Sequence, residues 1–298
     1  MQKAQHLIFE PGVCFIYVMK NILEDSGLII TSHEPVHGGD INHCYCLYGR
    51  DAKYFLKVND AKRYPAMFEK EAVGLNELRN NSTLTIPGVI KSGIAEQQQY
   101  LLLEWIEPGN PKKDSWENFG AALATMHQQP QACFGWPVNN YIGSLPQNNS
   151  KHDSWYSFYG QCRIMPLVEM LFIARAFTKQ DVAGAEILCK KIDQLFPWEP
   201  PALLHGDLWS GNFMITSAGD AAIYDPAVYY GHREMDIGMT KLFGGFDQRF
   251  YDAYNEVYPL EKDWQQRLRL TQLYPLLVHA VLFGGHYISS ARDIIMLR

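Results

Sequence analysis

The sequence predicts an α+β fold in two lobes, a small β-rich one followed by a larger, mainly helical one. Two observations carry this. Up to about residue 106 the apolar residues mostly alternate between turn signals, as strands require. From Ser115 onward they recur at helical spacing. The Pro-Gly turn in "EPGNP", Glu107 to Pro111, is the clear break between the two regimes. The boundaries read as a β-rich lobe over 1–103, with 1–18 as an extension, a hinge over 104–109 and a helical lobe over 110–298.

Element by element, "LIITSHEPVHGGDINHCYCLYGRDAKYFLKVN" reads as strands around turns at Gly38-Gly39 and Gly49-Arg50-Asp51. "PAMFEKEAVGLNELRN" spaces Met67, Ala72, Leu75 and Leu78 as a helix does, and "IPGVIKSGIAEQQQYLLLEWI" reads as another strand pair. "SWENFGAALATMHQQ" has a serine start signal and an apolar stripe through Trp116, Phe119, Leu123 and Met126. Cys133 to Ser150, rich in Gly, Pro and Asn, reads as loop. Helical patterns then cover Trp155–Phe177 and Asp181–Phe196, and resume from about Glu234 to the end.

Composition excludes several function classes. The 298 residues are 47% hydrophobic and 19% charged, as in an ordinary globular protein. With 26 Lys+Arg against 32 Asp+Glu the net charge is −6, which argues against nucleic-acid binding and means that an anionic ligand needs local cations. The six cysteines form no CxxC pair and no zinc spacing, and Cys44 and Cys46 alternate onto one strand face as buried thiols. No run approaches the ~18 apolar residues of a membrane span. The opening segment, broken by Glu10, Pro11 and Gly12, makes a poor signal peptide. A cytoplasmic protein without nucleic-acid or membrane partners is expected, acting as a monomer, with a dimer as the alternative.

The chemistry concentrates in "LLHGDLWSGNF", Leu203 to Phe213, and in "IYDPAVYYGHREMDIGMTKLFGGF", Ile223 to Phe246. These place Asp207, Asn212 and Asp225 at the ends of short apolar runs, a carboxylate, an amide and a carboxylate suited to a divalent cation and phosphate. Each other element is weak alone. A strand lysine such as Lys57 is ordinarily solvated, a helix glutamate such as Glu71 ordinarily lies on the surface, and Gly38-Gly39 ordinarily makes only a hairpin. Their order changes the reading: Gly-rich turn, strand lysine, helix glutamate, hinge, Asp207-x4-Asn212, then Asp225. That is the set of parts in protein kinases, and phosphoryl transfer explains why. It needs hard oxygen ligands for Mg²⁺, a fixed cation for the phosphates, and a carboxylate for the attacking hydroxyl. A P-loop GxxxxGK[ST] is absent.

"HGDLWSGNF", the Ile223–Phe246 run, "FLKVN" and "FEKEAVGL" together resemble the fructosamine kinase (ketosamine-3-kinase) family, which has a protein-kinase-like fold shared with aminoglycoside and choline kinases. The likeness covers the chain from about Met19. Trp209 in the catalytic loop and the "DPAxYYGHRE" run distinguish it from ordinary protein kinases, and "HGD" in place of "HRD" points to small-molecule kinases. The glycine loop departs from the full GxGxxG, and the first 18 residues match nothing in the family pattern.

The resemblance implies ATP and Mg²⁺ as cofactors and a small-molecule or protein-linked ketosamine as substrate, phosphorylated on its 3-hydroxyl. The product's phosphate is placed to leave, so the amine is freed, and the implied role is deglycation. Asp207 is then the base or orienter for the acceptor hydroxyl. Asn212 and Asp225 hold Mg²⁺. Lys57, positioned by Glu71, contacts the α- and β-phosphates, which the amides of Gly38, Gly39 and Asp40 cover. Glu104 and Ile106 receive adenine through their backbone, and Trp209 forms a wall for the sugar. His205 reads as structural, bracing the Asp225 segment, and Asp236 as the anchor of the catalytic loop from the next helix. The alternatives are a kinase of another small acceptor, of aminoglycoside, choline or amino-alcohol type, or an inactive nucleotide-binding scaffold.

Overall fold

The structure, a computed structural model, describes residues 11–36 and 41–296, with backbone alone for 11–18. The chain divides into two compact units. One comprises Met1–Ala72 with Gly88–Trp105, the other Val73–Pro87 with Ile106–Arg298.

The first unit is built on an antiparallel sheet of β1 (Ile30–Val36), β2 (His43–Gly49), β3 (Lys53–Asp60), β4 (Val89–Ala95) and β5 (Gln98–Glu104), in the order β1-β2-β3-β5-β4. The alternation in the sequence is resolved here into two faces. Leu47, Leu56, Val58, Tyr100 and Leu102 point to a core closed by Met19 and Ile22 of helix α1 (Pro11–Ser26). Pro11 opens that helix, where a missing N–H costs nothing. Helix α1 therefore starts before Met19 and carries two core residues, a feature the strand-centred reading of this region misses. Cys44 and Cys46 are both buried, as their alternation predicts. The sheet order puts β3, and with it Lys57, on the middle strand.

Helix α2 (Met67–Asn81) lies between β3 and β4 in the chain, and the second unit is mostly helical. It contains α3 (Ser115–His127), α4 (Trp155–Phe158), a π-helical turn (Tyr159–Ile164), α5 (Met165–Ile173), α6 (Lys179–Cys189), α7 (Ile192–Leu195), α8 (Glu234–Leu242), α9 (Gln248–Val257), α10 (Trp264–Phe283) and α11 (His286–Ile295). Short antiparallel ribbons join them: β6 (Asn140–Ile142) with β7 (Leu145–Gln147), β8 (Ala202–Leu204) with β11 (Tyr229–Gly231), and β9 (Phe213–Ile215) with β10 (Ala221–Ile223).

Three local readings are corrected. Ser115 is the first helical residue and Asp114 the cap position; Ser115 Oγ instead accepts from the Lys112 amide and donates to the Gly219 carbonyl. The stretch 133–150 contains the β6–β7 hairpin, whose strands are too short for an alternation signal. The patterns over 155–177 and 181–196 are broken. Thr178 and Asp181 form a capping box that starts α6 at Lys179, where periodicity carries no mark of a start.

The "YYGHRE" run is scaffold. Arg233 is nearly inaccessible and makes a forked pair with Glu199, at 2.9 and 2.7 Å, while also donating to the Tyr258 and Pro259 carbonyls. Glu234 pairs with Arg267, and His232 meets the Pro197 carbonyl at 3.3 Å. Removing one partner of a buried pair strands the other charge. Glu199→Ala is expected to lower stability by about 3–5 kcal/mol in urea unfolding; a loss below about 1 kcal/mol would show the fork to be dispensable.

Candidate active site

In the first unit, Lys57 on β3 donates to Glu71 on α2, with Nζ 2.8 Å from Oε1. Lys57 is 2% exposed and Glu71 11%. A solvated edge lysine and a surface glutamate are both excluded. A buried ion pair adds little net stability, because desolvation offsets its attraction. It does hold an ammonium at a defined point, which suits binding of an anionic group. Glu104 closes β5; its amide donates to the Gly88 carbonyl at 2.9 Å and its carboxylate accepts from the Gly88 amide. Gly38, Gly39 and Asp40 lie outside the described residues.

In the second unit, Ile106 lies in a segment without regular structure. The β8 strand delivers His205, Gly206 and Asp207, and Asn212 precedes β9. Asn212 is buried, and its Nδ2 donates to the Asp207 backbone carbonyl at 2.9 Å, to Asp207 Oδ2 at 3.0 Å and to the Asp225 carbonyl at 3.5 Å. The structure thus brings Asp207, Asn212 and Asp225 together. Phe213, next along the chain, is anchored in an aromatic cluster with Phe119, at 5.4 Å between ring centres, and Phe246, at 4.7 Å. Asp225 takes φ +55°, a left-handed conformation uncommon outside glycine, of the kind that persists at functional sites.

The loop between them is braced from behind. Asp236 on α8 accepts the His205 amide at 2.8 Å and the Gly206 amide at 2.9 Å, and lies 3.3 Å from His127 Nε2. His205 is fully buried; its Nδ1 accepts the Asp207 amide and its Nε2 donates to the Tyr224 carbonyl at 3.0 Å. Burial lowers its pKa, which favours this neutral tautomer. Gly206 has φ +83°, and a side chain there would meet the Ala227 carbonyl oxygen at 2.1 Å, so only glycine fits.

Desolvation pushes the Asp207 carboxyl up to about 7; Asn212 opposes this, and the charges of Asp225 and Asp236 add to it. A cation brought against the same group would act the other way. Trp209 is 37% exposed. Its ring lies across Gly211, where a Cβ would meet it at 2.3 Å, and edge-on to Phe243 with centres 5.7 Å apart.

The donor set fits a hard cation. With Asn212 Nδ2 committed to Asp207, its Oδ1 is the atom that can face a metal. Among the described residues no three His, Cys, Asp or Glu side chains form a metal cluster. Mg²⁺ takes one or two protein oxygens and completes its shell with phosphates and water.

A family model for fructosamine kinase matches residues 17–297. The chain belongs to the fructosamine kinase family. It is 41% identical over 268 residues to a probable ketoamine kinase of Synechocystis sp., covering 89% of this chain and 90% of that protein. A protein-ribulosamine 3-kinase of Arabidopsis thaliana, named as chloroplastic, is 36% identical over 286 residues, with 92% and 84% covered. The crystal structure of a candidate fructosamine-3-kinase from Thermobifida fusca superposes with a TM-score of 0.84 at 34% identity, covering 96% of this chain and 98% of the other. A spectinomycin phosphotransferase crystallised with ADP and spectinomycin shares the fold, with a TM-score of 0.57 at 14% identity over 92% of this chain and 88% of its own. The protein-kinase-like fold with its five-stranded sheet and helical second part is therefore that of the family.

Sequence reading passed over Tyr274 and His279, which line one small pocket with Asp207. Only a helical apolar pattern marks that region, and it hides polar groups. Asp236→Asn should replace one acceptor by a donor facing a backbone amide, leaving that pair unsatisfied. A stability loss of about 1–3 kcal/mol in urea unfolding and at least about tenfold slower turnover are expected; wild-type values for both would remove Asp236 as the loop's anchor.

Proposed function

We propose that this chain transfers the γ-phosphoryl group of ATP to the 3-hydroxyl of a ketosamine, free or carried on a protein lysine. The observation that carries the reading is Asn212, whose one amide group ties Asp207 to the backbone of Asp225 within the "HGDLWSGN" loop. The substrate class is supported by family membership and by the relatives' names.

In this reading Asp207 accepts the proton of the attacking hydroxyl, or orients that hydroxyl, and Asn212 holds the carboxylate in place. A pKa near 7 suits a group that takes and gives up a proton near neutrality. Asn212 Oδ1 and the Asp225 carboxylate would hold Mg²⁺, which when bound neutralises phosphate charge. Lys57, fixed by Glu71, contacts the α- and β-phosphates, and Gly38, Gly39 and Asp40 cover them. Glu104 and Ile106 receive adenine through backbone groups. The exposed Trp209 ring stacks on the C–H face of the sugar.

Phosphorylation next to the ketone converts a hydroxyl into a leaving group, so the adduct breaks down and the amine is released. The biological role is deglycation. A reducing compartment such as the cytoplasm suits the described cysteines, which are all free thiols. Among the described residues no helix is long and apolar enough to cross a membrane.

An acceptor panel with ATP and Mg²⁺ tests the substrate class. Fructose- and ribulose-derived lysine adducts should be phosphorylated in preference to kanamycin and choline, with the new phosphate on the third hydroxyl by NMR. Preference for kanamycin or choline would defeat the ketosamine reading. Asp207→Asn keeps the shape but cannot take a proton, so kcat should fall by about 10²–10⁴-fold with nucleotide affinity retained. Asp225→Ala should abolish the Mg²⁺ dependence of ATP binding in calorimetry; unchanged affinity would exclude it as a ligand.

A further inference from the structure

Tyr274 on α10 shares its pocket with Asp207, His279, Ile142, Gly206 and Tyr229. Its phenol is buried, and its pKa is pushed up to about 12, mainly by desolvation, with Arg163 opposing and the charge of Asp207 adding.

The direction of every hydrogen bond behind Tyr274 can be derived from groups that have no choice. Arg163 is inaccessible and can only donate; its Nη1 reaches the Asn148 carbonyl at 2.5 Å and its Nη2 the Asn149 side chain at 2.6 Å. Its guanidinium also lies 4.2 Å from the Tyr229 ring centre. The Asn149 atom facing Arg163 must then be oxygen, and its amide nitrogen donates to the Val138 carbonyl at 3.0 Å and to Asn140 at 2.7 Å. Asn140 accepts through its oxygen and donates to the Val228 carbonyl at 2.9 Å. Gln147 donates to that same Asn140 oxygen at 2.8 Å and to the Ala227 carbonyl at 3.1 Å. Only the Gln147 oxygen remains to face Tyr274, 2.6 Å away, so the Tyr274 hydroxyl donates. Its proton is committed to Gln147, and its oxygen can offer nothing but lone pairs.

His279 is fixed in the same sense. Its Nδ1 donates to the Pro275 carbonyl at 2.7 Å, which leaves Nε2 with the lone pair, and burial lowers its pKa. Tyr274, Asp207 and His279 thus bring acceptor atoms to the lining of one small pocket. Such a pocket suits a ligand rich in donors.

We propose that Tyr274 determines acceptor specificity, its oxygen taking a hydrogen bond from a hydroxyl of the bound molecule beside the one that Asp207 engages. This rests on the assignment of Asp207 to the acceptor site. Arg163, Asn149, Asn140 and Gln147 are positioning residues that set the polarity of Tyr274 without touching the ligand.

The test uses the full chain and a fructose-derived lysine adduct, with a series of analogues each lacking one hydroxyl. Tyr274→Phe should raise the adduct's KM about tenfold, with kcat and the KM for ATP within about threefold. One analogue should show the same loss with the wild type and no further loss with Tyr274→Phe. An unchanged adduct KM, or losses that multiply for every analogue, would overturn the proposal, because a merely structural tyrosine cannot single out one hydroxyl. Gln147→Met releases the Tyr274 proton without altering a pocket residue, and should also raise KM selectively; it serves if the phenylalanine variant melts early. Should the wild type prefer kanamycin, the ketosamine reading fails, and kanamycin derivatives lacking single hydroxyls put the same question to Tyr274.

Discussion

The carboxylate of Asp236 carries the second unit's chemistry. Two consecutive backbone amides, those of His205 and Gly206, have no strand partner at the point where β8 ends, and both donate to this one buried side chain. An unmatched buried amide is costly. The loop is therefore shaped around Asp236, and Asp207 emerges in a fixed direction. His127 and Tyr254 complete the shell on the far side, with His127 Nδ1 2.9 Å from the Tyr254 hydroxyl. The aspartate is itself held by α8, whose start is tied down by the Arg233–Glu199 fork and the Glu234–Arg267 pair. The run "GHREMD" is thus one continuous support for a loop about thirty residues earlier.

The two units use opposite electrostatic arrangements. In the first, a cation is buried with its counterion, Lys57 with Glu71. In the second, the charges of Asp225 and Asp236 act on Asp207, and their repulsion is part of what raises the Asp207 pKa. A cation brought against these carboxylates would relieve that repulsion.

A second buried network approaches the same aspartate from elsewhere. Arg163 donates to Asn149, Asn149 and Gln147 both donate to Asn140, and Asn140 and Gln147 tie the β6–β7 hairpin to the backbone of Val228 and Ala227, just beyond Asp225. Its consequence is chemical as well as mechanical. A chain of amides anchored by one obligate donor and several carbonyls has a single consistent polarity, so the state of a tyrosine hydroxyl follows from a guanidinium several residues removed.

Much of this protein was legible in its sequence. Residue type and order identified Lys57, Glu71, Asp207, Asn212 and Asp225, because phosphoryl transfer admits few substitutes for an ammonium, a carboxylate and an amide oxygen. Alternation and helical periodicity marked the five-stranded sheet and the long helices, since a buried face must repeat with the geometry of its element. The tertiary structure alone decided the rest. Residues 1–18 read as an extension, and nothing in the pattern marked helix α1, whose Met19 and Ile22 close the first core. The β6–β7 hairpin was hidden because three-residue strands show no period. Asp236 was legible as an anchor of the catalytic loop, but Tyr274 and the Arg163 network were not, because Tyr274 meets Gln147 more than a hundred residues away in the chain. No local pattern records such distances. Which atom of an amide faces which neighbour is settled only when all the neighbours are in place.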